Sequence, residues 1–155
     1  YPVVYGELPG TGPKSLLLYD HYDAQPPEPL ELWTHDPFGA EIADGRIWAR
    51  GVADNKGNLV ARLCAADAWR QVRGQLPLTL KFLFEGEEEI GSPSLPAFAE
   101  AYHDLYRADG CIWEAGYKDA QGRLQITLGC KGICYVELRA HGANTDLHSA
   151  NAAIV

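Results

Sequence analysis

Four carboxylates fall within five residues in the segment FLFEGEEEIGS, Phe82 to Ser92: Glu85, Glu87, Glu88 and Glu89. Like charges at this density repel, so they either point into water or share a strong cation. The residues before them, Leu78, Leu80, Phe82 and Phe84, alternate with Thr79, Lys81 and Leu83, the pattern of a strand that ends where the acids begin. The end of a buried strand offers little water, which favours the cation. A solvated acidic turn is the alternative.

Other stretches end in the same way. Ser15 to Tyr19, SLLLY, reads as a short buried strand running into Asp20-His21-Tyr22-Asp23. Gly110 to Trp113 reads as a third strand ending at Glu114, and Asp54 stands in VADNKG just before a helical pattern. That helix is predicted from Asn58 to Arg73, where Leu59, Leu63, Ala66, Trp69 and Val72 recur at helical spacing and Gly74 follows as a cap. A second amphipathic helix is predicted from Leu95, Phe98, Ala99, Tyr102, Leu105 and Tyr106. Strand, helix, strand, helix, strand is an α/β sheet with helices on its faces. Ligands of such sheets bind outside the carboxyl ends of the strands, where His21, Asp23, Glu88, Glu89 and Glu114 converge and Asp54 can join them. An imidazole with several carboxylates and no thiolate suits zinc, and manganese or cobalt less specifically. More carboxylates than one cation needs point to two cations, roughly 3.5 to 4 Å apart. Each residue also has a structural reading: His21 as a hydrogen-bonding residue at a strand end, Asp54 as a helix N-cap, and Glu88, Glu89 and Glu114 as solvated acids.

Around these elements, residues Tyr1 to Lys14 read as an irregular lead-in or an edge strand whose partner lies upstream. A proline-rich loop runs from Gln25 to Pro29, and Asp44-Gly45 signals a hairpin between Ile42 and Trp48. Past Gly122, Leu124 to Leu128 and Ile133 to Ala140 alternate with no helix between them, which predicts antiparallel strands of a second sheet.

The 155 residues suffice for one domain, and a net charge of -8 without a basic stripe argues against a nucleic-acid surface. Neither a signal peptide nor a membrane span is visible. The sequence contains no Met, so the natural N-terminus is expected upstream and a targeting segment stays undecided. Cys64, Cys111, Cys130 and Cys134 lie on apolar segments and read as buried thiols of a reducing compartment, the cytoplasm, with metal binding by Cys as the lesser reading.

HYDAQP, GVADNKG, EGEEEIGS, CIWEAG and DLHSA, in this order and spacing, resemble the dinuclear zinc exopeptidases. That group includes carnosine dipeptidases, glutamate carboxypeptidases, acetylornithine deacetylase and aminoacylase, and the proline-rich loop with WTHDPF looks most like the dipeptidase branch. The resemblance implies a three-layer α/β core with a mostly parallel mixed sheet, residues 1–129 forming the N-terminal part of the catalytic domain. Residues 130–155 would begin an α+β lid or dimerisation domain. It further implies that His21, Asp54, Glu89 and Glu114 bind two divalent metal ions, with Asp54 bridging and Asp23 orienting the His21 ring. Glu88 would be the general base, and Glu87 has no catalytic role. The Asp54–Asn55 peptide bond would be cis. His148 resembles the lid histidine that reaches into the partner of a homodimer and stabilises the oxyanion. The implied substrates are dipeptides or short peptides, with N-acyl amino acids as the alternative.

The sequence departs from this pattern at Ala150, where the family has glycine, and at Asn151-Ala152. The family's second half, with its further histidine ligand, has no counterpart here. An N-terminal catalytic fragment is therefore expected, one that binds metal incompletely and turns over substrate poorly. A catalytically silent module that assembles through its sheet edge is the reading from another class.

Overall fold

The computed structural model describes residues 1–114, 116–129 and 131–141. The chain divides into two compact units, Tyr1–Gln125 and Ile126–Val155. The first unit is built on a mixed sheet of four strands in the order β1-β5-β2-β6. In chain order, β1 is Val4–Leu8, β2 Ser15–His21, β3 Glu41–Ala43 and β4 Arg46–Trp48, followed by helix α1, Gly57–Arg73. Strand β5, Thr79–Glu85, helices α2, Leu95–Ala101, and α3, His103–Tyr106, and strand β6, Gly110–Ile112, complete it.

Strand β2 lies between two parallel neighbours, β5 with Ser15 opposite Thr79 and His21 opposite Glu85, and β6 with Leu16 opposite Gly110. This central place explains why SLLLY is apolar without alternation: both faces are covered. On one face Leu18 and Phe82 pack with Ala66 of α1; on the other Leu17, Tyr19 and Leu83 pack against Leu95, Phe98 and Tyr106. Each fully buried Leu or Phe contributes about 1.5–3 kcal/mol of transfer free energy. The parallel register brings the ends of β2 and β5 to the same edge of the sheet, where the candidate chemistry lies.

Helix α1 ends as predicted, with Gly74 N–H donating to the Arg70 carbonyl at 2.8 Å. Hairpin β3–β4 turns through Asp44 and Gly45, both at positive φ (53° and 70°), the geometry of a type I′ turn. The edge strand of the lead-in finds its partner downstream rather than upstream: β1 runs antiparallel to β5, with Val4 opposite Phe84. The second amphipathic pattern breaks into α2 and α3 at Tyr102, whose φ of -130° leaves the helix.

Two further expectations are corrected. Leu124 to Leu128 and the described residues from Ile133 to Ala140 form no strand. Leu124 makes an isolated bridge to Lys118, and Leu128, Tyr135 and Leu138 are each at least 93% exposed. Alternation alone supplies no hydrogen-bonding neighbour: beyond that bridge and the Gln125 N–H bond to the Tyr117 carbonyl at 3.0 Å, no strand ladder forms on these segments among the described residues. Cys64, Cys111 and Cys134 are free and exposed rather than buried. Cys64 stands two residues from buried Ala66 and so faces away from the sheet, and Cys111 lies on the short strand β6. Cys130 is outside the described residues.

Candidate metal centre

His21 is the last residue of β2 and is 1% exposed. Its ring stands at the meeting point of three chain segments. Nε2 lies 2.9 Å from Asp54 Oδ1, 3.3 Å from Glu114 Oε2 and 3.9 Å from Glu88 Oε2. On the other side of the ring, Nδ1 lies 3.2 Å from Asp23 Oδ1.

Local chain geometry delivers each partner. Asp54 sits in the turn Val52–Lys56, with an extended backbone (φ -134°, ψ 95°) inside the turn and a cis bond to Asn55. Its side chain meets His21, whereas α1 starts at Gly57 without any side-chain cap, so the N-cap reading of Asp54 fails. Glu88 and Glu89 begin a single tight turn, Glu88–Ile90, just after β5. Asp23 holds that turn in place: its Oδ1 accepts from Glu88 N–H at 3.3 Å and its Oδ2 from Glu89 N–H at 3.0 Å. One carboxylate thus sets both the imidazole and the acidic turn. Gln25, from the proline-rich loop, donates to Glu89 Oε2 at 2.8 Å and to the Glu89 carbonyl at 3.1 Å. A Cβ at Gly86 would lie 2.5 Å from the Tyr22 ring, so any side chain there would displace that ring.

The donor atoms form two overlapping groups, His21 with Glu88 and Glu114, and His21 with Asp54 and Glu89, each with all atoms within 4.8 Å. His21 is common to both groups, where the resemblance assigns that sharing to Asp54. Glu88 lies among the donors, so distance alone does not separate a base from the ligands. Glu87 turns elsewhere: its Oε2 accepts from Ser94 N–H at 3.0 Å. His148 lies outside the described residues.

The electrostatics are those of uncompensated negative charge. Burial alone would lower the His21 pKa, but the Asp54 hydrogen bond and the charges of Glu114 and Glu88 outweigh it and hold the imidazole above its usual value. Burial raises Glu88, opposed by His21 and reinforced by Glu89, Asp54 and Asp23. Burial likewise raises Glu114, with Glu88 adding to it. With Nδ1–H directed at Asp23, neutral His21 turns an Nε2 lone pair toward the Asp54 oxygen at 2.9 Å, a contact that either a proton or a metal cation on Nε2 makes favourable. Glu114 Oε2 is buried without a hydrogen-bond partner, an acceptor left open beside that nitrogen. An imidazole nitrogen and carboxylate oxygens are donors suited to zinc, manganese or cobalt. The residues therefore fit a divalent metal.

Sequence reasoning missed the second buried layer. Glu85, 2% exposed, accepts from the hydroxyls of Tyr19 and Ser92, which ties the far end of the acidic turn to the core. Buried Asp20 and Asn55 form another set with partly buried Arg62. An Asp in the apolar strand SLLLYDH was the available signal, since a buried carboxylate needs a partner.

A sequence profile of Peptidase family M20/M25/M40 matches residues 17–154. The Cys-Gly metallodipeptidase dug1 of Schizosaccharomyces pombe is 33% identical over 153 residues, which is 96% of this chain and 32% of the relative. The human Beta-Ala-His dipeptidase is 32% identical over 152 residues, 96% of this chain and 30% of the relative. The chain thus spans about a third of the length of these curated relatives. Among solved structures, the M20 family metallo-carboxypeptidase Sso-CP2 from Sulfolobus solfataricus superposes with a TM-score of 0.75 at 44% identity, covering 79% of this chain and 28% of that one. Human carnosine dipeptidase 1 superposes with a TM-score of 0.66 at 34% identity, covering 72% of this chain and 25% of that one. The motifs, the mixed sheet and the profile match agree: this chain belongs to peptidase family M20.

Proposed function

We propose that this chain carries the metal-binding part of a hydrolase that cleaves the amide bond of dipeptides or short peptides. The observation that carries the reading is the single nitrogen, His21 Nε2, with carboxylate oxygens of Asp54, Glu114 and Glu88 from three segments within 3.9 Å. Family membership and relatives named for dipeptide cleavage support the substrate class.

His21, Asp54, Glu89 and Glu114 would hold two divalent ions, zinc in the first instance. When bound, such ions acidify a water and polarise a carbonyl. Asp23 accepts from His21 Nδ1–H, fixing the tautomer so that Nε2 points into the site. Glu88 takes the proton of the attacking water on a carboxylate oxygen and returns it to the departing amine nitrogen. Its raised pKa, set first by burial, moves it toward the range of an efficient base. Asp23, bonded to the Glu88 N–H, keeps this base beside the imidazole. Residues 130–155 would begin a lid in which His148 serves the oxyanion.

The test is Glu88→Gln in the intact gene product. Dipeptide turnover is expected to fall about 10²–10⁴-fold, the usual worth of a general base, while zinc content measured by plasma mass spectrometry stays at the wild-type level. Turnover that survives the change would remove Glu88 from its role.

A further inference from the structure

Behind the metal centre, on the α1 side of the sheet, lies a polar set around buried Asp20 and Asn55 that the proposed chemistry does not use. Asp20 is 0% exposed and follows Leu16 and Leu18 on the β2 face that packs against α1. Arg62 stands one helical turn before Ala66 on that helix, with its side chain 13% exposed. Its Nη1 lies 2.7 Å from Asp20 Oδ2 and donates to the Tyr19 carbonyl at 2.7 Å. Its Nη2 donates to the Trp113 carbonyl at 3.0 Å. Asp20 Oδ1 accepts from Asn55 Nδ2 at 2.8 Å, and Asn55 Oδ1 from Asn58 Nδ2 at 2.7 Å.

Each contact falls next to a metal donor. Tyr19 and Asp20 lead into His21, Asn55 follows Asp54, and Trp113 precedes Glu114. We infer that Arg62 is a positioning residue for the metal centre: paired with Asp20, it locks the three backbones that carry His21, Asp54 and Glu114 at one spacing. The guanidinium suits this role because its planar fork holds several acceptors at fixed angles, whereas a lysine ammonium offers a point charge on a flexible stem. The inference rests on the proposed metal site, and the test separates the two.

Zinc alone is titrated calorimetrically into the metal-free purified protein and three variants, Arg62→Lys, Asp20→Asn and Leu17→Ala. Circular dichroism and thermal unfolding report folding. Leu17 packs in the opposite core cluster and serves as the control for general loss of stability. Arg62→Lys is expected to weaken zinc binding about 10–100-fold, the usual cost of losing a residue that orients ligands, and Asp20→Asn to weaken it in the same direction. Leu17→Ala is expected to melt earlier yet bind zinc as wild type does. Wild-type affinity in folded Arg62→Lys overturns the inference, as does an equal loss in Leu17→Ala. If Arg62→Lys does not fold, the shape-conserving Asp20→Asn decides by the same criterion. Failure of the wild type to take up zinc removes the metal site itself, and the inference with it.

Discussion

Ser15–His21, a continuous apolar run (SLLLYDH), and Ile133–Ala140, an alternating one (ICYVELRA), both read as strands in the sequence, yet the first is the central strand and the second forms no strand. The difference lies in neighbours. β2 is hydrogen-bonded on both sides, by β5 and β6, and covered on both faces, so Leu17, Leu18 and Tyr19 are each no more than 7% exposed. From Ile133 to Ala140 every residue is exposed. Alternating apolar residues earn a strand only where a partner closes the ladder.

Substitutions at the two segments sharpen this contrast. Leu18→Ala removes a side chain packed between Phe82 and Ala66, and its expected cost is about 2–5 kcal/mol in denaturant unfolding. A value under about 1 kcal/mol would show that β2 does not anchor the core. Tyr19→Phe removes the hydroxyl that donates to buried Glu85 and is expected to cost about 1.5–3 kcal/mol, with Ser92 retaining part of the support. Leu138→Ala, at a side chain 93% exposed, is expected to stay within about 0.5 kcal/mol. A large effect there would mean that this segment has a packed partner and that the contrast is false.

Much of the candidate site was legible because strand ends are legible. His21, Glu88 and Glu89 follow apolar runs that stop abruptly, and parallel pairing of β2 with β5 brings those ends together. Asp54 and Glu114 were legible as acids at a turn and at a strand end, and as members of the ordered motifs. The network behind them was not, because Arg62 reads as one polar position on an amphipathic helix. Only the sheet shows that it stands over Asp20, on the face shared by Leu16 and Leu18. Cys64 was misread for a related reason: an apolar neighbourhood in sequence says nothing about which side of a helix a thiol takes. The break at Tyr102 escaped because Leu105 and Tyr106 continue the helical spacing across it.

The central claim is that these acidic side chains tolerate one another because divalent ions sit among them. Anomalous scattering at the zinc edge from crystals grown with zinc addresses it directly. The account predicts strong peaks bounded by His21 Nε2 and the carboxylates of Asp54, Glu89 and Glu114. Crystals with zinc at other sites, or with those four side chains bare of it, would contradict the account.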